Sequence, residues 1–298
     1  MGKGADLHTH TTASDGTETP SLVVAMAAAA GLEAVAITDH DTMDGIPEGA
    51  AAASELGITL VPGVELSTGF VGPEGKKQEV HVLGYFPDPS SEALANHMLD
   101  SKGDRENRAE EMVVKLNELG VKIAWERVLA IAGDARIGRP HIARAIMEAG
   151  YAKSWDEVFS KWIGNDAPGY VGRSKHDPSD AVRMLRDANA VTSLAHPMYD
   201  FHGGILDLDA LLPGMMEAGL QGLEVYCSNQ SARVTDKYRV VARRNGLLAT
   251  GGSDFHGDKV SAGVKVGDAI TSHEVLAAVY EMGRNQLLSP VDRSVPGP

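Results

Sequence analysis

Asp6-Leu7-His8-Thr9-His10 ends a short apolar run near the start of the chain, and the reading of that run decides the fold. Taken as a strand over residues 5–8, it turns His8 and His10 to one face, because side chains two apart on an extended chain share a side. Beyond it, the residues after Pro20 read as a helix over 21–30. The same coupling of apolar run and helical pattern recurs. Further strands are predicted over 34–38, 59–62, 79–86, 191–195, 222–226 and 247–251, and further helices over 46–56, 178–188, 208–218 and 232–245. This alternation predicts an α/β architecture on a parallel sheet, open or closed into a barrel.

Histidines and acids gather where these strands end. Asp39-His40-Asp41 ends the second strand, Glu65 follows the third in Pro62-Gly63-Val64-Glu65, and His81 lies within the fourth. Ala195-His196-Pro197 ends the fifth, and Ser253-Asp254-Phe255-His256 ends the last. Loops at strand ends converge on one mouth in such folds, so residues far apart in sequence are expected to meet there. Imidazole with carboxylate suits Zn, Mn or Fe. Each piece alone has an ordinary reading: His8 and His10 as loop residues, His40 as a charge-paired turn, His81 as a hydrogen-bonded core residue, Glu65 as a helix cap. None of those readings predicts a common location. His97, His176, His202 and His273 fall outside the pattern and read as surface or loop residues.

Composition narrows the function. With 298 residues, 43% apolar and 23% charged, the chain suits one large domain or a barrel with an insertion, and excludes wholesale disorder. A net charge of −14 argues against a global grip on duplex DNA. The single cysteine, Cys227, excludes a disulfide framework and a thiolate metal cluster, and suits a reducing, cytoplasmic setting. The N-terminus lacks the apolar core of a signal peptide, and the apolar stretch 22–30 is too short to span a bilayer, so no membrane association is expected.

Residues 101–175 have a different texture, with helical patterns over 105–119, 125–131, 140–149 and 154–162 and little strand signal. They read as a helical insertion, or cap, in a barrel formed by residues 1–100 and 176–298. In the first of these helices Met112, Val113, Leu116 and Leu119 make one apolar stripe. Arg136, Arg139 and His141 flank a helix start with Pro140 at its first position, a natural phosphate cradle, although Arg139 in a surface ion pair is the plainer alternative. Arg173 and Lys175, where the insertion rejoins the barrel, are further anion-binding candidates. Trp125, Trp155 and Trp162 read as core that could also stack on a base, and Met26, Met112, Met147 and Met184 as core filling.

The run Asp6–Gly16, together with Ile37-Thr-Asp-His-Asp-Thr42, Pro62-Gly-Val-Glu-Leu-Ser67, Ala195-His-Pro197 and Gly252-Ser-Asp-Phe-His256, resembles the five ordered motifs of the polymerase and histidinol phosphatase (PHP) family. The resemblance covers nearly the whole chain. It implies a distorted seven-stranded (β/α)7 barrel and two or three divalent ions of Mn, Zn or Fe. It places His8, His10, Glu65 and Asp254 on a first ion, His81 and His196 with the bridging Glu65 on a second, and Asp15, His40 and His256 on a third. Glu65, His196 and His256 are thereby expected at the reacting phosphate. Asp15 stands where some histidinol phosphatases of the family carry histidine, which together with the insertion points to the nucleoside 3′,5′-bisphosphate phosphatase type. The expected function is hydrolysis of a phosphate monoester of a small nucleotide. The alternatives are 5′–3′ cleavage of short RNA and, ranked lowest, a metal-stabilised interaction module without turnover.

Overall fold

The computed structural model describes residues 3–72, 75, 77–133, 137–164, 167–172, 176–197, 206–228, 230–258, 260 and 263–288. Strand residues that are apolar on both faces must be covered on both, and Ala34–Ile37 and Val191–Leu194 are buried at every position. In chain order the elements are β1 (Ala5–Asp6), α1 (Pro20–Ala29), β2 (Ala34–Ile37), α2 (Ile46–Leu56), β3 (Thr59–Val71), β4 (Lys77–Tyr85), α3 (Glu92–Glu118), α4 (Trp125–Ala132), α5 (Arg139–Glu148) and α6 (Trp155–Val158). A π-helical turn, Phe159–Ile163, follows α6. Then come α7 (Pro178–Asp187), β5 (Val191–Leu194), α8 (Leu208–Glu217), β6 (Gly222–Cys227), α9 (Ala232–Asn245), β7 (Leu248–Gly252) and α10 (His273–Leu288). None of these helices, among the described residues, is long and apolar enough to cross a membrane.

The seven strands lie side by side in sequence order. Their ring closes where the Leu7 N–H donates to Gly251 O (3.1 Å), the Asp254 N–H donates to His8 O (2.9 Å), and Thr9 pairs in parallel with Phe255. Gly252 is required at this seam, because a Cβ there would collide with the backbone and Cβ of His8. The result is a distorted (β/α)7 barrel. It departs from the purely parallel sheet expected: β4 runs antiparallel to both β3 and β5. The link between β3 and β4 is too short for a crossover helix, so the chain can only reverse. β3 also runs on to Val71, which puts Glu65 inside a strand rather than after one.

Local chemistry sets the helix ends. Thr19 and Asp177 cap α1 and α7 ahead of Pro20 and Pro178, and Gly246 ends α9 in the left-handed region (φ 67°). The barrel interior is filled by Leu7, Ala36, Leu83 and Tyr85 with Leu276 and Val279 of α10, a helix the sequence reading did not identify. Outside, Val64, Leu66, Val80 and Val82 pack against Val182 and Leu185 of α7. Helices α3 to α6 and the π-helical turn share a core of their own around Met112, Val113, Leu116, Ile142, Ile146 and Ile163, edged by the three tryptophans and Met147. Leu119 and Met26 are not core as expected: Leu119 caps the C-terminus of α3 and Met26 lies on the outer side of α1, at 43% and 36% exposure.

α3 runs unbroken through position 100. Its start packs Leu94 into the barrel core, and its end carries Met112 and Leu116 into the insertion core. The sequence reading began this helix at residue 105, because its first turns show no regular apolar stripe.

Candidate metal centre

β1 and the residues just after it present His8 and His10, both fully buried, with their Nε2 atoms 3.0 Å apart. Asp254, beyond β7, brings Oδ1 to 3.4 Å from His8 Nε2 and 3.3 Å from His10 Nε2. Glu65, at the centre, divides its oxygens. Oε2 lies 3.4 Å from His8 Nε2, 3.2 Å from His10 Nε2 and 2.9 Å from His40 Nδ1. Oε1 lies 3.0 Å from both His81 Nδ1 and His196 Nε2. Asp15 approaches His256 Nε2 with Oδ1 (3.4 Å) and His40 Nε2 with Oδ2 (4.0 Å). All nine residues singled out for metal binding therefore meet at one end of the barrel.

The donor set fits divalent cations. Four ligands in a tetrahedron with bonds of about 2.0–2.1 Å stand about 3.3 Å from one another. His8, His10 and Glu65 have that spacing among themselves, and Asp254 has it to both histidines. Glu65 Oε2, His10 Nδ1, His40 Nδ1 and Asp15 Oδ1 are buried without a hydrogen-bond partner, a costly state for polar atoms that a cation relieves. Four overlapping groups could each hold an ion: His8, His10 and Glu65; His8, His196 and Asp254; His40, Glu65 and His81; and His10, Asp15, His40 and His256. The crowding of acids and imidazoles shapes the electrostatics. Burial opposes charge on Glu65, but the imidazoles of His40, His8 and His81 outweigh it and hold the carboxyl well below its usual range. Burial likewise opposes charge on His256, but Asp254 and Asp15 raise it to about 9.

Buried acids brace this end of the barrel. Asp39 accepts from the Thr11 N–H (2.7 Å), the Thr11 hydroxyl (2.7 Å) and the Ser14 hydroxyl (2.6 Å), which fixes the loop that carries Asp15. Asp6 accepts from the backbone N–H groups of His8 (3.2 Å), Ser253 (2.9 Å) and Gly267 (2.8 Å), tying β1 to the loops after β7; burial raises its carboxyl to about 6 against those bonds. Both aspartates head their motifs, where no local signal separates a bracing acid from a ligand. Glu224, not among the expected site residues, has one signal in the sequence, an acid inside the apolar strand Gly222–Cys227.

A cavity of about 260 Å³ opens over the cluster, lined on one side by Asp15, His40, His81, His196, Asp254 and His256. Arg105, Arg108, Arg139, Trp155 and Phe159, from the insertion helices and the π-helical turn, line the other. Arg105 donates to Asp41 Oδ2 (2.8 Å) and Ser67 Oγ (2.9 Å). Arg139 stands 3.4 Å from Glu79 Oε2, and Glu79 Oε1 stands 3.4 Å from His81 Nε2. Arg108 donates from Nε to Val171 O (2.8 Å) and lies over the Tyr170 ring, while one Nη2 is buried with no partner. Burial beside Arg139 disfavours charge on Arg108. Neither Arg105 nor Arg108 was foreseen, since both belong to the part of α3 where no pattern distinguishes an inward guanidinium from a solvated one.

The remaining expectations divide. His141 accepts the Gly138 N–H at Nδ1 (2.9 Å), capping α5, and faces an adjoining pocket of about 180 Å³ that shares Asp15, Pro140 and Trp155 with the main cavity. Arg136, Arg173, Lys175 and His202 lie outside the described residues. His273 is at the surface with Glu33, as read. His97 is not an ordinary loop residue: it is buried on α3 with Nε2 3.9 Å from Asp41 Oδ1, and its ring lies 4.8 Å from that of His176, which is exposed in a loop as expected.

Known proteins share this architecture. The PHP domain pattern matches residues 6–122. A 3′,5′-nucleoside bisphosphate phosphatase of Chromobacterium violaceum is 32% identical, over 96% of this chain and 99% of its own. A 5′–3′ exoribonuclease of Haemophilus influenzae is 31% identical, over 86% of this chain and 91% of its own. Among solved structures, a protein of Bifidobacterium adolescentis superposes with a TM-score of 0.86 at 32% identity, covering 94% of this chain and 96% of that one. An amidohydrolase of C. violaceum with bound sulfate and no metal gives 0.83 at 32%, with the same coverage.

Proposed function

The chain belongs to the PHP domain family of metal-dependent phosphoesterases, and from that premise we propose that it hydrolyses a phosphate monoester of a small nucleotide, converting a nucleoside 3′,5′-bisphosphate to the nucleoside 5′-monophosphate and phosphate. The observation that carries this reading is one cavity that offers an anion two places: the His and carboxylate cluster, and Arg108 with Arg139, which share the lining with Glu79 and Asp156. A substrate with two phosphates fills both. The unpartnered Arg108 Nη2 supports the second subsite, because a buried guanidinium nitrogen with no acceptor is a ready phosphate donor.

In this proposal the first ion is held by His8, His10, Glu65 and Asp254, the second by Glu65, His81 and His196, and the third by Asp15, His40 and His256. Divalent ions of Mn, Zn or Fe bound there would supply activated water at neutral pH and neutralise phosphoryl charge. The chain supplies the geometry. Glu65 serves both sides of the cluster through separate oxygens, and His196 and His256 face the reacting phosphate from the cavity wall. Arg139 and Arg108 orient the second phosphate, while Trp155 and Phe159 exclude water and leave an apolar surface for a base. Residues 101–175 act as the cap that limits substrate size, and a cytoplasmic setting accords with a lone, buried cysteine.

A second reading, 5′–3′ cleavage of short RNA, is favoured by the adjoining pocket, which would give room for a further nucleotide. The product released by the Mn-loaded protein, phosphate or mononucleotide, decides between them. Nucleoside 3′,5′-bisphosphates should turn over fastest, ahead of mononucleotides and histidinol phosphate. Faster release of mononucleotides from short 5′-phosphorylated RNA would establish the second reading instead.

A further inference from the structure

Glu224 stands within β6, fully buried behind the metal cluster rather than on the cavity wall. Both of its oxygens lie 3.2 Å from His8 Nδ1, and Oε2 also accepts the backbone N–H of His196 at 2.7 Å. The far side of each histidine points into the cluster: His8 Nε2 faces Glu65, His10 and Asp254, and His196 Nε2 faces Glu65 Oε1. One carboxylate thus holds two residues that flank the central Glu65 from different strands.

Two physical consequences follow. A carboxylate against Nδ1 keeps the proton on that nitrogen, which leaves the Nε2 lone pair of His8 directed into the cluster. His196 has φ +20°, a strained value for a residue with a side chain, and its backbone needs an anchor to persist there. Glu224 provides that anchor. An amide in its place is poorer on both counts: it carries no charge to balance His8, and its NH2 would oppose the proton on Nδ1.

We propose that Glu224 is a positioning residue that sets the metal affinity of the cluster, by fixing the tautomer of His8 and the backbone of His196. This rests on the metal-centre reading above. Its own chemistry is that of an outer carboxylate, which orients a ligand without touching the ion or the substrate.

The test is metal binding rather than turnover. Zn²⁺ affinity is measured by competition with a chromophoric chelator for the wild type, Glu224→Gln and Tyr85→Phe, with melting of each metal-free protein recorded alongside. Tyr85→Phe removes a buried polar atom from the same barrel interior, so it reports generic disturbance. Glu224→Gln should bind Zn²⁺ about 10–100-fold more weakly while melting near the wild-type temperature, and Tyr85→Phe should bind as the wild type does. Equal affinity in Glu224→Gln, or an equal loss in Tyr85→Phe, overturns the assignment. A wild type that binds no Zn²⁺ fails the metal-centre reading instead, so the two failures are distinguishable. Should Glu224→Gln not fold, nitrogen-15 histidine spectra of the Zn-loaded wild type decide alone. His8 protonated at Nδ1 is expected, and His8 protonated at Nε2 overturns the proposal.

Discussion

Glu65, buried at the centre of the cluster, and Arg108, on the cavity wall, carry opposite charges, and their substitution separates chemistry from binding. Glu65→Gln replaces an anion shared among five imidazoles with a neutral amide. Loss of an outer residue that merely supports a ligand costs about 10–100-fold, so this change should lower kcat by at least about 100-fold on a bisphosphate and on a simple aryl phosphate alike. Near-normal kcat would remove Glu65 from the reaction. Arg108→Met keeps the apolar stem and deletes the desolvated cation. It should raise KM for the bisphosphate by roughly tenfold to a hundredfold, the range for about 1.5–3 kcal/mol of charge-assisted bonding, with little effect on the aryl phosphate. Removal of the unpartnered Nη2 offsets loss of the bond to Val171 O and of the stacking on Tyr170, so the melting temperature should change little; a large fall would mark the guanidinium as structural. The two residues also differ in how legible they are. Glu65 stands in a short motif beside strand-end histidines, whereas Arg108 sits among charged residues of a helix, where its inward direction depends on packing that no local pattern encodes.

α3 joins barrel and insertion, and one ion pair anchors it. Arg105 is 5% exposed and Asp41 1%, with Nη2 to Oδ2 at 2.7 Å and Nε to Oδ2 at 2.8 Å. Removing one partner strands a buried charge, so Arg105→Met should cost about 3–5 kcal/mol of unfolding free energy. Adding Asp41→Asn neutralises the remaining carboxylate and should restore most of that loss, since residues in direct contact are not additive. Urea denaturation of the metal-free single and double variants checks this, and strictly additive losses would refute the coupling. Asp41 adjoins His40 and has φ 53°, so the same pair ties α3 to the strained turn at the cluster. Helices α2 and α9 were legible to the residue, because Pro47 near one start and the Gly57 and Gly246 ends mark their limits. The onset of α3, the reversal of β4 and the π-helical turn were not, for each follows from tertiary packing that overrides local preference.

The molecule as a whole is acidic, at −14, yet it is built around a site that suits phosphate. Local charge resolves the contrast: Arg105, Arg108 and Arg139 line the cavity beside Glu79 and Asp156, and bound cations would offset the carboxylates of Asp15, Glu65 and Asp254. Alternation of strand and helix made the α/β sheet legible, and residues 101–175 stood out by their helical texture, although α3 begins at Glu92 and carries no break at that boundary. Closure of the ring was not legible, since periodicity describes each strand and not its neighbour. That closure brings His8 to Asp254, so the metal cluster is a property of the complete barrel and its occupation should be linked to global stability. A ligand bound only by the folded state adds about 2.7 kcal/mol at a hundredfold excess over Kd, which for a chain of this size raises melting by several degrees. Chelator-treated protein should therefore melt lower, and its melting temperature should climb with added Mn²⁺. The imidazoles must be neutral to bind, so protons compete with the metal and the climb should be smaller at pH 6 than at pH 8. Calorimetry across a Mn²⁺ series at both values measures it. A melting temperature indifferent to metal at pH 8 would show that the nine residues meet for some other purpose, and an increment unchanged between the two pH values would show that the histidines are not among the ligands.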